Sequence, residues 1–184
     1  KELVPSLNPV AAAGLSLGEF TAHAAAGTYS FEEGLRLVQK RGAFMEEACN
    51  ATKGTMAAMI GGTDENVIKL AQECDVDVAN FNCPGQTVVS GTEEGVAKAV
   101  AGAKAAGCKI AKKLNVAGAY HSRLMHSAMV KLAEELKNIS FGTPSMPVYC
   151  NYEARVVEGP DDIRSMLEHQ VCGSVRWTAS MQKL

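Results

Sequence analysis

A chain of 184 residues with 47% hydrophobic and 21% charged side chains has the make-up of an ordinary globular domain, with material for a substantial core. A net charge of −2 gives no electrostatic case for nucleic acid or an anionic membrane surface, and no apolar run approaches the roughly 20 residues that a membrane span needs. The six cysteines (Cys49, Cys74, Cys83, Cys108, Cys150 and Cys172) include no Cys-x-x-Cys pair, so neither a metal site nor a disulfide framework is expected; they read as reduced, mostly buried thiols of a cytoplasmic protein.

In chain order, Pro9–Ala13 is a short apolar run that predicts a buried strand. No basic-then-apolar leader stands at the start; the chain has no initiator Met and begins just ahead of this strand, which predicts a piece of something longer. From Glu19 the pattern turns helical and ends at Gly27. Ser30 caps a second helix that carries Leu35, Val38 and Phe44 to about Cys49. The texture then changes. Thr55–Ile60 predicts a strand, Asp64–Glu73 a helix with Val67, Ile68 and Ala71 inward, and Val76–Asn82 a strand. Pro84-Gly85 turns the chain into a strand at Thr87–Ser90, followed by a helix over Glu93–Ala106 and a strand over Lys109–Val116. The order β-α-β-β-α-β over about 60 residues is the split, ferredoxin-like pattern, so residues 53–116 are expected to form an inserted small subdomain. A helix at Ser127–Lys137 with Met129, Val130, Ala133 and Leu136 on one side, a strand at Met146–Cys150, a helix at Asp161–His169 and a helical stretch from Trp177 complete the reading.

Gly14-Leu15-Ser16-Leu17-Gly18 places a serine between two glycines, after an apolar run and before a helical one. That is the layout of a nucleophile elbow. The flanking glycines avoid collisions in the bend, and the helix N-terminus aims backbone N–H groups at an oxyanion. The plain alternative is a hydroxyl in a tight turn. A nucleophilic serine needs a base. His23 reads as a helix-surface residue pointing away, and His126 and His169 as exposed or capping helix residues. His121 lies in the loop Gly118-Ala119-Tyr120-His121-Ser122 and is the candidate. Asp161 and Asp162 look like the acidic first turn of a helix, so no acid partner emerges. Arg41 reads as a solvated helix charge unless the substrate carries a carboxylate, which would need its planar fork.

Six stretches in order, "GLSLGEF" (14–20), "VQKRGAFMEEA" (38–48), "GTMAAMIG" (54–61), "NFNCPGQTVVSG" (80–91), "GAYHSRLM" (118–125) and "HQVCGSVRWT" (169–178), resemble the malonyl-coenzyme A:acyl carrier protein transacylase family. The resemblance implies an α/β fold: an α/β-hydrolase-like catalytic subdomain over residues 1–52 and 117–184, incomplete here, around the small subdomain at 53–116. It implies a Ser–His dyad in which Ser16 is acylated, His121 is the base, and the main-chain carbonyl of Gln170 orients the imidazole in place of an acid. The Leu17 N–H would form half of the oxyanion hole, and Arg41 would pair with the malonyl carboxylate. Tyr120 would crowd an α-methyl group and so favour malonyl over methylmalonyl.

The implied partners are malonyl-CoA and acyl carrier protein, with no cofactor, no metal, and a monomeric enzyme of fatty acid synthesis. The family's N-terminal strand and Gln-containing loop, which supply the other oxyanion donor, and its C-terminal Gly-Pro-Gly segment are not in these residues. The expectation is therefore a piece of a longer enzyme that would be a poor catalyst by itself. Leu15 stands where the family often has His. Other functions that fit the elbow are a serine thioesterase or hydrolase and a polyketide-type acyltransferase domain. A non-catalytic carrier-binding module is the alternative outside enzymes.

Overall fold

The computed structural model describes residues 6–184, as seven helices and six strands. The first part of the chain runs β1 (Ala12–Ala13), α1 (Leu17–Ala25) and α2 (Phe31–Ala51). Next come β2 (Gly54–Ile60), α3 (Asp64–Glu73), β3 (Asp77–Cys83), β4 (Gln86–Thr92), α4 (Glu93–Gly102) and β5 (Ile110–Lys113). A 3-10 turn at Arg123–Met125 leads into α5 (His126–Lys137), followed by β6 (Val148–Tyr149), α6 (Pro160–His169) and α7 (Trp177–Lys183). No helix among the described residues is long and apolar enough to cross a membrane.

Local chemistry sets the helix starts. Ser30 and Glu33 form a reciprocal capping box on α2, the Glu33 N–H donating to Ser30 Oγ (3.2 Å) and the Ser30 N–H to Glu33 Oε2 (3.0 Å). Thr63 and Thr92 cap α3 and α4 through the N–H groups of Asn66 and Gly95. Pro160 opens α6, where its missing N–H costs nothing.

The strands form two sheets. β1 and β6 pair in parallel, Ala12 opposite Val148. The other four lie in the order β3-β4-β2-β5, every adjacent pair antiparallel, with α3 and α4 packed on one side over Met59, Val67, Ala71, Val89, Val96 and Ala99. A separate core gathers Phe20, Leu37, Met45, Leu132, Leu136, Ile163 and Leu167 from α1, α2, α5 and α6. The loop after α6 ties the two parts together: Val175 N–H donates to Ala79 O (2.8 Å) and Phe81 N–H to Val175 O (2.9 Å).

Several expectations are corrected. The strands expected at 9–13 and 146–150 pair over two residues each, and the one at 109–116 over four. Ladder pairing, not apolar run length, defines a strand. The helix expected over 93–106 ends at Gly102 and continues as turns to Gly107, whose φ of 86° stops it. The inward faces of three helices match the sequence reading only in part: Val67, Ala71 and Leu136 are buried as expected. Leu35, Ile68 and Val130 are exposed, while Leu37, Leu70 and Leu132 are buried, because the neighbouring elements select one of two plausible apolar stripes. All six thiols are free. Cys49, Cys108 and Cys150 are buried, Cys74 and Cys172 half-buried, and Cys83 exposed at the end of β3.

Candidate active site

The bend between β1 and α1 carries Ser16 at φ 52° and ψ −108°, a left-handed region that a non-glycine residue enters only at a cost of about 1–3 kcal/mol. Two features hold it there. A Cβ on Gly14 would lie 2.0 Å from the carbonyl oxygen of Gly18, so the entry to the bend admits only glycine. Asn151, from the loop after β6, staples the bend. Its Oδ1 accepts from the Ser16 N–H (2.6 Å) and its Nδ2 donates to Gly14 O (2.8 Å). Gly18 departs from the expectation that both glycines relieve collisions. A Cβ there would meet nothing within 4 Å, because its outer face opens away from the packed elements.

His121, also at positive φ (56°), turns back toward this bend. Its Nε2 lies 2.7 Å from Ser16 Oγ and its Nδ1 2.8 Å from Gln170 O. A carbonyl only accepts, so Nδ1 carries the hydrogen and Nε2 presents its lone pair to the Ser16 hydroxyl. Burial pushes His121 down to about 4; the Gln170 carbonyl opposes the shift and the Arg41 charge adds to it, leaving the imidazole neutral near pH 7.

No carboxylate backs this pair. Asp162 is engaged by Arg155 (2.7 Å) and Asp161 by Arg164 (2.7 Å), both in the first turn of α6. The other histidines lie elsewhere. His126 and His169 are exposed, His169 stacked on Tyr152. His23 is a correction: it is fully buried beneath α1 with Nδ1 3.2 Å from Thr28 Oγ1, because α1 presents that face to the core and not to solvent.

Arg41 is also not a solvated helix charge. It is 6% exposed, projects from the inner face of α2, and lies 5.2 Å from the centre of the Phe20 ring. Its Nη2 donates to Ser16 Oγ (3.0 Å) and to Gln170 Oε1 (3.2 Å). Burial lowers its pKa to about 10, which still leaves it cationic. Gln170 does more than orient His121. Its Nε2 donates to Ser16 O (3.0 Å) and to Glu19 Oε2 (2.7 Å), and Glu19 Oε2 also accepts from the Asn151 N–H (2.9 Å). Glu19 is fully buried, and that burial pushes its carboxyl up to about 7.

These groups open on a cavity of about 370 Å³ lined by Leu15, Ser16, Arg41, Gly42, Met45, Met56, Asn80, Tyr120 and His121. Tyr120 is half-buried along this wall. Leu17 begins α1, in the turn where backbone N–H groups lack partners within the helix. Of the residues singled out in the sequence, Ser16, His121, Arg41 and Gln170 share direct contacts, with Leu17 and Tyr120 beside them. Glu19 and Asn151 were missed. The carboxyl of Glu19 falls one position after the second glycine, where an acid in a first helical turn reads as a favourable dipole contact; only tertiary packing shows that it points inward.

A family described as acyl transferase domain matches residues 6–183. Malonyl CoA-acyl carrier protein transacylase of Escherichia coli (strain K12) is 42% identical over 178 residues, covering 95% of this chain and 58% of the relative. The structure of the malonyl CoA-acyl carrier protein transacylase from Coxiella burnetii superposes with a TM-score of 0.95 at 35% identity, over 99% of this chain and 59% of that one. A type II PKS acyl-carrier protein in complex with its malonyl-transacylase gives a TM-score of 0.95 at 36% identity, over 99% of this chain and 60% of that one. The chain thus spans about three fifths of the length of these proteins. Because the family match takes in both the Ser16 bend near one end and the Gln170 turn near the other, the chain belongs to the acyl transferase domain family.

Proposed function

We propose that the protein transfers a malonyl group from malonyl-coenzyme A to the phosphopantetheine thiol of an acyl carrier protein, through an ester on Ser16, in fatty acid synthesis. The observation that carries this reading is the placement of Ser16 Oγ between a neutral imidazole at 2.7 Å and a buried guanidinium at 3.0 Å. A hydrolase for neutral esters has no use for that guanidinium. A malonyl thioester has a free carboxylate one methylene from the carbonyl under attack, and Arg41 stands where that carboxylate would arrive. Relatives named for this transfer, including one solved with its carrier, support the assignment.

The reaction then has two halves. His121 Nε2 takes the hydroxyl proton as Ser16 Oγ attacks the thioester carbonyl, and the Leu17 N–H donates to the oxyanion. Such donors are worth roughly 3–4 kcal/mol in related sites. The tetrahedral intermediate collapses, the C–S bond breaks, and coenzyme A leaves as a thiol carrying the proton back from His121. In the second half the carrier thiol gives its proton to His121 and attacks the serine ester, and Ser16 recovers the proton as its C–O bond breaks. Arg41 holds the acyl carboxylate throughout, which orients the ester toward the thiol. Tyr120 beside His121 leaves little room for an α-methyl group, which favours malonyl over methylmalonyl.

The same reading divides the chain into an α/β-hydrolase-like catalytic subdomain (residues 1–52 and 117–184) and an inserted ferredoxin-like subdomain (53–116). It is supported by the strand order β3-β4-β2-β5 and by the two separate cores; residues 1–5 lie outside the described residues. It takes the enzyme to act as a monomer in the cytoplasm, where six free thiols stay reduced.

Intact-protein mass spectrometry of the full-length protein after incubation with malonyl-CoA tests the proposal. One malonyl adduct, mapped to Ser16 and absent from Ser16→Ala, is expected. An unmodified wild type that nevertheless binds coenzyme A would leave a carrier-binding module as the better account.

A further inference from the structure

Glu19 takes no part in the chemistry above, yet it is the one buried acid among the described residues. Burying a carboxyl is expensive unless its oxygens are engaged. Only Oε2 is, accepting from Gln170 Nε2 and Asn151 N; Oε1 is buried with no partner among the described residues. An acid kept in such a place, where a leucine would fill the same volume, is doing something that needs its acceptor oxygen.

The two ends of the Gln170 amide face different demands. On one side Ser16 O and Glu19 Oε2 both accept, so both require the NH2 end. On the other side Arg41 Nη2 only donates, so it requires the oxygen end. Turned over, the amide would set its NH2 against the guanidinium and its oxygen against two acceptors.

We propose that Glu19 is a positioning residue: by accepting the NH2 of Gln170 it fixes that amide so that Oε1 holds the Arg41 guanidinium beside Ser16 Oγ, and so sets the preference for acyl groups that carry a carboxylate. The inference rests on Arg41 being the partner of that carboxylate. Glu19 reaches the substrate through two intermediaries and touches no reacting atom.

The test compares kcat/KM for Ser16 acylation by malonyl-CoA and by acetyl-CoA in the full-length protein. Glu19→Ala removes the shorter of the two contacts that hold the Gln170 NH2, leaving only Ser16 O as its acceptor, and is expected to lower the malonyl-to-acetyl ratio by at least about tenfold. Glu19→Gln offers one side-chain oxygen to the same two N–H groups and is expected to keep the ratio within about threefold of wild type. Gln170→Ala, which leaves the main-chain carbonyl on His121, is expected to lower the ratio as Glu19→Ala does, and the double variant to fall no further.

Equal loss on both substrates in Glu19→Ala, with the ratio unmoved, would mean a packing role alone and would overturn the proposal. So would a Glu19→Gln that falls as far as alanine. Should Glu19→Ala fail to fold, an unchanged ratio in Gln170→Ala overturns it equally. A wild type that shows no preference for malonyl-CoA sinks the functional reading first, and that outcome is visible before any variant is made.

Discussion

His121 works from a position that favours its neutral form. Burial holds it near 4, and the Gln170 carbonyl that fixes its tautomer brings no full negative charge to stabilise an imidazolium as a carboxylate would. On the proposed mechanism, protonation of the free enzyme would remove the base only at low pH. The profile of kcat/KM for acylation is expected to stay level from pH 8 to about 5 and to decline as the pH approaches 4; stopped-flow acylation after a short pH jump reads it. A midpoint near the ordinary histidine value of about 6.5 would contradict the burial argument. In the proposed reaction Arg41 would have the complementary task of recognising charge. Removing a hydrogen-bonded charge partner of this kind costs about 1.5–3 kcal/mol, so Arg41→Ala is expected to lose roughly 10- to 150-fold in kcat/KM with malonyl-CoA while gaining on acetyl-CoA. Arg41→Lys keeps the charge but loses the planar fork and should fall between the two.

At the scale of elements, the bend between β1 and α1 separates its two glycines. Gly14→Ala drives a methyl into the Gly18 carbonyl and is expected to cost at least about 2 kcal/mol in urea unfolding, and with it Ser16 labelling. Gly18→Ala meets open space in the first turn of a helix and should stay within about 1 kcal/mol of wild type. This asymmetry was hidden in the symmetric motif Gly-x-Ser-x-Gly. The helices, the β-α-β-β-α-β order and the Ser16 bend were legible because each is written in contiguous residues: the cap at Ser30, the turns at Pro84-Gly85 and Gly107. His121 stood out as a loop histidine, and the resemblance added Gln170. What could not be read is what depends on neighbours distant in the chain. The burial of Glu19 and His23, the staple from Asn151, and the choice of Leu37 over Leu35 as the inward residue of α2 are all decided by elements that pack from more than one direction.

At the scale of the whole molecule, stability and pH are linked through groups buried without charge. His23 is held down to about 4 by burial, so between pH 6.5 and 4 the unfolded chain binds a proton that the folded one refuses. That contribution is present above pH 6.5 and is lost as the pH falls. Comparing urea unfolding at pH 7 and pH 5, His23→Leu is expected to lose about 1–2 kcal/mol less than wild type over the same interval, whatever its offset at pH 7. Equal losses would mean that His23 is hydrated in the folded state.

The contacts that hold Ser16 in its bend come from far along the chain: Asn151 is 135 residues away, His121 105 and Gln170 154. During synthesis the serine therefore emerges long before the Asn151 staple or the His121 imidazole. If the proposed chemistry holds, the nascent polypeptide would stay inert toward thioesters until the Gln170 turn has left the ribosome and folded back. On the proposed mechanism, chemical competence would report that the long-range topology has closed, and a half-made molecule would not capture acyl groups it is unable to pass on.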